Sequence, residues 1–286
     1  MTWASGAATD TGLVRERNED RYWADPERGV FLVVDGIGGN AAGELAAQTA
    51  VDVIRSSVLD GEDAVRDAIA RANNRIFEVA ESRPELRGMA CVLTLAAIVG
   101  EEIVIGHVGD SRLYLIWQGA IRKLTADHSP VGEDEDAGEL SEEEAMFHPR
   151  RNEIFRDVGS RPRTAADREF IEIRRCRLHS DAAILLCSDG LTDRLTAAQV
   201  REIVDRYDGD AARVACDLVD AANQAGGNDN VTALFVAGPA FSGRSLATRP
   251  RTSTTRVRRR WRVGRRLIFL VSGVLIGMLL WLAVRR

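Results

Sequence analysis

The stretch Val30-Phe31-Leu32-Val33-Val34-Asp35-Gly36-Ile37-Gly38-Gly39 decides how the chain is read. Five consecutive apolar residues, three of them valine, are too few for a helix and predict a buried strand. That strand runs straight into an aspartate and then into glycines. The pattern returns along the chain. Residues 103–105 lead through Val108 to Gly109-Asp110-Ser111, and residues 184–187 lead to Ser188-Asp189-Gly190. Asp229-Asn230 stands immediately before a strand predicted over 231–237, and a further strand is predicted over 113–117. With Asp20, in Asn18-Glu19-Asp20, five carboxylates fall at element ends. A lone Asp-Gly pair is most often a turn, because both residues favour turn geometry. Five of them at strand ends point to a common rim.

Between the first two predicted strands the spacing becomes helical. Leu45, Val53 and Ile54 share one face, and Val65, Ile69, Ala72, Ile76 and Val79 share another. Two successive helices flanked by groups of strands predict an α+β fold rather than alternating βαβ units. Ser141-Glu-Glu-Glu144 and Thr196-Ala-Ala-Gln199 fit capping boxes and so predict helix starts. A last helix is predicted over 210–224, closed by Gly226-Gly227.

Carboxylates gathered without basic partners repel one another unless cations lie between them. Hard oxygen donors of this kind select Mg²⁺ or Mn²⁺ over zinc. The four histidines (His107, His128, His148, His179) are singly placed, and the four cysteines (Cys91, Cys176, Cys187, Cys216) form no CxxC pair, which argues against a zinc site and against a disulfide framework. An EF-hand fails as well. In Asp134-Glu-Asp136-Ala-Gly138 the glycine comes one place early, and this acidic stretch is read as an exposed loop.

Three other phosphate or acyl chemistries are weighed and set aside. Gly36-Ile-Gly38-Gly-Asn-Ala41 matches a dinucleotide-binding glycine pattern. However, Asp35 abuts its first glycine, and no second strand ending in an acid follows at the required distance. Gly109-Asp110-Ser111 has the look of a serine-hydrolase turn, yet Arg112 follows it and no histidine partner is near in sequence. Lys123, the sole lysine, is in no P-loop.

Charge is unevenly placed. Of 38 Lys and Arg, twelve Arg lie from Phe241 onward, where there is no acid, leaving 26 basic against 43 acidic residues before it. An acidic body of net charge −17 excludes nucleic acid as its natural partner. Residues 1–240 are therefore read as the globular domain, 241–266 as a flexible Arg-rich linker, and 267–284 as a transmembrane helix. Those eighteen residues carry no charge and cross most of a ~30 Å hydrocarbon layer at ~1.5 Å per residue. Seven Arg between Arg256 and Arg266, against Arg285 and Arg286 beyond, place the body on the cytoplasmic side of the cell (inner) membrane. The Arg-rich stretch is read as contacting anionic lipid headgroups. Gly273 and Gly277 fit a small-residue motif for a weak homodimer through the membrane helix.

Five motifs now stand in order. They are Gly12-Leu-Val-Arg15-Glu-Arg-Asn18-Glu19-Asp20, Val34-Asp35-Gly36-Ile-Gly-Gly, Gly109-Asp110-Ser111-Arg112, Ser188-Asp189-Gly190-Leu-Thr-Asp193 and Gly227-Asn-Asp229-Asn230-Val-Thr232. Their succession over residues 3–238 resembles the PP2C-type (PPM) family of metal-dependent protein serine/threonine phosphatases, in its bacterial form. The stretch Ser141-Glu-Glu-Glu-Ala145 to His148-Pro-Arg-Arg-Asn152 looks like the flap of the bacterial members.

The resemblance implies a central antiparallel β-sandwich flanked by helix pairs, and a centre of two Mn²⁺ or Mg²⁺ ions with a third held weakly. It implies that Asp35 bridges the two ions, that Asp189 and Asp229 complete one, and that the Gly36 carbonyl and Asp20 serve the other. Asp110 would join Asp189 at the third. Arg15 would receive the substrate phosphate, a role its fork of donors suits. Phosphoserine and phosphothreonine would be hydrolysed by a metal-activated water, with no cysteine nucleophile. The implied partners are phosphorylated proteins and a cognate Ser/Thr kinase. The different-class alternative is a phosphatase-like membrane scaffold that has lost catalysis. Two departures from the family pattern bear on this choice. Ile37 and Asn40 stand where some members carry histidine, leaving the general acid unassigned. In addition, Gly88-Met89-Ala90-Cys91-Val92 replaces the more usual Gly-Met-Gly-Thr-Thr.

Overall fold

The computed structural model describes residues 2–38 and 41–243. Among the described residues ten strands form two antiparallel sheets. One has the order β1 (Ala4–Asp10), β10 (Val231–Ala237), β9 (Ala183–Cys187), β6 (Arg112–Trp117), β7 (Ala120–Lys123). The other has the order β2 (Arg21–Asp25), β3 (Val30–Ile37), β4 (Ala90–Val99), β5 (Glu102–Val108), β8 (Glu172–Arg177). They pack face to face over Phe31, Val33, Ile103, Ile105, Leu113, Ile184, Leu186, Leu234 and Val236, all essentially inaccessible.

The outer faces are covered by helices. Val30, Leu32 and Val34 point the other way from Phe31 and Val33, as strand alternation requires. They bury against Ala46, Ala50 and Ile54 of α1 (Ala41–Arg55) and Val65, Ile69 and Ile76 of α2 (Glu62–Ser82). On the far side Leu185, Cys187, Ala233 and Phe235 meet α6 (Ala197–Val204) and α7 (Ala211–Gln224) through Val204, Val214 and Leu218. Strands covered on both faces read as unbroken apolar runs, which is why β3, β9 and β10 stand out in the sequence. The sandwich between helix pairs is the predicted α+β arrangement.

The caps hold as predicted. Ser141 and Thr196 each accept from the backbone of Glu144 and Gln199, whose side chains accept back from Ser141 and Thr196, opening α4 (Glu142–Met146) and α6. Asp210 accepts from Ala212 and Arg213 to open α7.

One reading is corrected. The acidic stretch 134–138 is not an exposed loop. It is the second half of α3 (Pro130–Ala137), started by a Ser129 cap with proline in the first turn and closed by Gly138 at φ +75°. Its acids are not all solvated, because Glu135 turns inward onto Arg112 at 2.6 Å. The helix is short and acidic, and tertiary ion pairs hold it.

The packed domain continues past residue 240. Phe241 sets its ring against Tyr207 and Phe235, with centroids 5.4 and 5.9 Å away. The predicted Arg-rich linker beyond Gly243, the 267–284 span, the Gly273/Gly277 motif and Asn40 lie outside the described residues. Among the described residues no helix is long and apolar enough to cross a membrane.

Candidate metal centre and active site

Asp20 precedes β2, Asp35 and Gly36 lie in the last turn of pleat of β3, and Asp110 sits in the three-residue passage from β5 to β6. Asp189 follows β9 as the first residue of α5 (Asp189–Thr192), and Asp229 precedes β10. All five come together at one end of the sandwich, two contributed by one sheet, two by the other and Asp110 by the chain crossing between them. Asp35, Gly36, Asp110, Asp189 and Asp229 line a cleft of ≈ 400 Å³ with Arg15 and Ile37.

Burial and mutual repulsion set what the gathering costs. Burial pushes Asp35 well above the usual carboxylate range, and the charges of Asp20, Asp189, Asp110 and Asp229 push it further. Asp189 is raised in the same way, by burial and then by Asp110, Asp193 and Asp229. Asp110 is raised to about 7 by burial, then Asp127 and Asp193. Asp20 reaches about 6 through burial, although hydroxyl donors from Thr232 (2.6 Å) and Ser188 (2.7 Å) to its Oδ2 pull it down. The remaining oxygens, Asp20 Oδ1 and Asp189 Oδ1, are buried without any hydrogen-bond partner. Buried carboxylate oxygens left bare in a ring of like charge fit a divalent cation of the hard class, as the all-oxygen donor set also requires.

Arg15 is at the cleft, half exposed, and its Nη2 donates to Asp229 Oδ2 at 2.7 Å. Asn230 holds the loop that carries Arg15. Its Nδ2 donates to the carbonyls of Thr11 (3.0 Å) and Arg17 (2.8 Å), and its Oδ1 accepts from the amide of Glu19 at 2.8 Å. The segment that resembles a flap closes over the other side. Arg151 Nε donates to Asp193 at 2.5 Å, Glu142 accepts from the amide of Ala197 at 3.0 Å, and Asn152 reaches the cleft.

Cys91 faces Gly36 across the β3–β4 register and bridges to Val158. Its thiol is fully buried and burial drives its pKa well up, so the residue packs in the core beneath α1 and α2 and supplies no nucleophile.

Sequence reasoning missed three participants. Glu19 lines the cleft, while its neighbour Asp20 turns inward to Ser188 and Thr232. Asp193 lies one helical turn after Asp189, and that i, i+4 spacing was a usable signal. The bracing role of Asn230 gave no local signal, because its partners are 211 to 219 positions away.

A two-sheet sandwich with a ring of buried, largely unpaired carboxylates and an arginine at one end defines a protein built around divalent cations. The comparisons make the class specific. The protein phosphatase 2C family model matches residues 14–221, and the chain belongs to that family. It is a metal-dependent protein serine/threonine phosphatase that uses Mn²⁺ or Mg²⁺. The serine/threonine phosphatase stp of Listeria innocua is 34% identical over 240 residues, covering 80% of this chain and 93% of that one. The crystal structure of the Mycobacterium tuberculosis serine/threonine phosphatase PstP/Ppp superimposes with a TM-score of 0.74 at 30% identity, covering 83% and 99%. A PstP catalytic domain solved with two manganese ions gives a TM-score of 0.71 at 29% identity, covering 82% and 98%.

Proposed function

We propose that Asp35, Asp189 and Asp229, with the Gly36 carbonyl, hold the two catalytic cations, that Asp20 and Glu19 complete the ring from one side, and that Asp110 with Asp189 serves a weaker third. The observation that carries this is the pair of bare, buried oxygens on Asp20 and Asp189 within a ring whose members raise one another's pKa. When bound, such ions acidify water and offset the negative charge of a phosphoryl group. Arg15 then orients the phosphate through its guanidinium fork, exchanging Asp229 for phosphoryl oxygens as acceptors. Asn230 keeps that arginine in place by tying down its loop. Ile37 lines the cleft and contributes no proton, so the chain offers no imidazole to the leaving serine or threonine oxygen at this position.

The same reading places the enzyme at the cytoplasmic face of the cell membrane, opposing a Ser/Thr kinase there. Its support is the uncharged run 267–284 behind seven arginines. Gly273 and Gly277 support a helix-mediated homodimer, and the arginines support contact with anionic lipids.

Membrane and soluble fractions of cells expressing the full chain, assayed on a phosphothreonine peptide, test both halves. Turnover should sediment with membranes, need Mn²⁺ or Mg²⁺, and fall ~10²–10³-fold in Asp35→Asn and Asp189→Asn, the scale of losing a transition-state stabiliser. Full turnover in either variant would overturn the assigned centre. Activity confined to the soluble fraction would overturn the anchor.

A further inference from the structure

Two buried histidines are not accounted for by the catalytic reading, and both grip one residue. His107 is the last inward-facing residue of β5, following Ile103 and Ile105 on the inner face. Its Nε2 lies 2.9 Å from the carbonyl oxygen of Gly109 and 3.0 Å from that of Ala126. Two carbonyls facing one nitrogen fix the proton there. Nδ1 is then the acceptor, and the Thr94 hydroxyl donates to it at 2.9 Å. Burial first, and the neighbouring His128 second, lower the His107 pKa to about 4, so the ring is neutral.

His128 takes hold of the same residue, through the peptides on both sides of its Cα. Its backbone amide donates to the Gly109 oxygen at 2.7 Å, and its Nδ1 accepts from the Gly109 amide at 3.0 Å. Every hydrogen-bonding group of Gly109 is therefore engaged by a histidine. Gly109 itself has φ +109°, and a Cβ there would overlap Val92. The residue that follows is Asp110, at the point where the chain leaves one sheet for the other.

His107, His128 and Glu172 also bring ligand atoms within 4.8 Å of one another. They do not make a metal site. Both His107 nitrogens and His128 Nδ1 are already bonded, and Glu172 accepts from the Ala126 amide at 3.1 Å.

We infer that His107 and His128 are positioning residues that clamp Gly109 from both sides and thereby aim the Asp110 carboxylate into the metal centre. The inference rests on the assignment of Asp110 to that centre. A buried side chain that orients a metal-binding group typically controls metal affinity ~10–100-fold.

The two histidines act through different nitrogens, and this gives a test with opposite outcomes at the two positions. Asparagine places its polar end near the Nδ1 position, and glutamine places its own near Nε2. His128→Asn keeps an acceptor for the Gly109 amide, whereas His128→Gln loses it. At the other site His107→Gln keeps the donor to the Gly109 carbonyl, and His107→Asn loses it.

The experiment uses the full chain in detergent. It reads Mn²⁺ affinity from the electron paramagnetic resonance of free Mn²⁺, and hydrogen exchange of the peptide containing residues 108–112. His128→Gln and His107→Asn should weaken the lower-affinity Mn²⁺ binding ~10–100-fold and speed exchange in that peptide. The partner variants, His128→Asn and His107→Gln, should stay within about threefold of the parent. A common ranking at both positions, glutamine above asparagine as side-chain volume alone dictates, would overturn the clamp. Asp110→Asn is the control for the underlying assignment. If it leaves Mn²⁺ binding and turnover unchanged, Asp110 is not part of the centre, and exchange in 108–112 still decides whether the clamp exists.

Discussion

Two groups of buried carboxylates stand on either side of Asp110, and they have opposite company. On one side is the ring of Asp20, Asp35, Asp189 and Asp229, where acid faces acid. On the other, Arg112 donates to both oxygens of Asp127, from Nε to Oδ1 at 3.1 Å and from Nη2 to Oδ2 at 2.6 Å, and Nη2 also reaches Glu135 at 2.6 Å. Lys123 adds Asp136 at 2.7 Å and Asp127 at 3.5 Å. Both groups are largely shielded from water, Asp229 and Asp136 being their most exposed members. Burial raises Asp127 as it raises Asp35, but Arg112 and Lys123 more than offset it and hold Asp127 below the ordinary carboxylate range. Nothing offsets it for Asp35. A chain able to supply an arginine to one set of acids within a few residues of the other has left the second set open to a charge from outside.

That contrast can be broken in the folded protein. Asp127→Asn should cost about 3–5 kcal/mol, because it strands the Arg112 guanidinium in a buried site. Denaturant melts of metal-free protein read this directly. Asp35→Asn under the same conditions should be neutral or stabilising, since it removes one of several repelling charges. Equal losses from the two would mean that Asp35 has a partner after all. Mn²⁺ sharpens the comparison next. At about 100 times its Kd it should add ~2.7 kcal/mol to the stability of the parent, and it should raise Asp127→Asn by the same increment, as a shift in Tm.

The smallest effect is the pH trend. Asp20 and Asp110 have folded pKa values of about 6 and about 7, against 3.8 unfolded. The folded state therefore binds more protons than the unfolded state in that interval, and the stability they contribute is complete below about 4 and lost as pH rises toward 7. Asp127, held low, gives the reverse, losing its contribution as pH falls below the ordinary carboxylate range. Melts of metal-free protein from pH 4 to 8 should show the decline with rising pH, and saturating Mn²⁺ should flatten it. A stability that rises across this range in metal-free protein would count against the raised ring.

The difference between the two groups also explains what could be read from the sequence. The ring was legible because each of its aspartates ends or precedes a strand, so a local pattern carried it. The paired network was not, since Arg112 meets Asp127 and Glu135 across 15 and 23 positions and its helix looked like an acidic loop. The same division holds among the strands. β3, β9 and β10 are interior strands built mostly of apolar residues. β1 (ASGAATD) is an edge strand whose Gly6 lies hard against the backbone of α7, and β8 (EIRRCR) is an edge strand of charged residues. Their pairing with β10 and β5 makes them strands, and their own composition does not announce it. β4 (ACVLTLAAIV) is buried along most of its length, and its small residues gave no alternation to find.

The division of the ring between sheets has a mechanical side. Asp20 and Asp35 belong to one layer of the sandwich, Asp189 and Asp229 to the other, and the layers touch elsewhere through apolar side chains, whose contacts are non-directional. Any cation gripped by Asp35 and Asp189 together is a rivet through both plates. It fastens points 154 residues apart in the chain, so that loading the centre and locking the two halves of the scaffold into register become a single event.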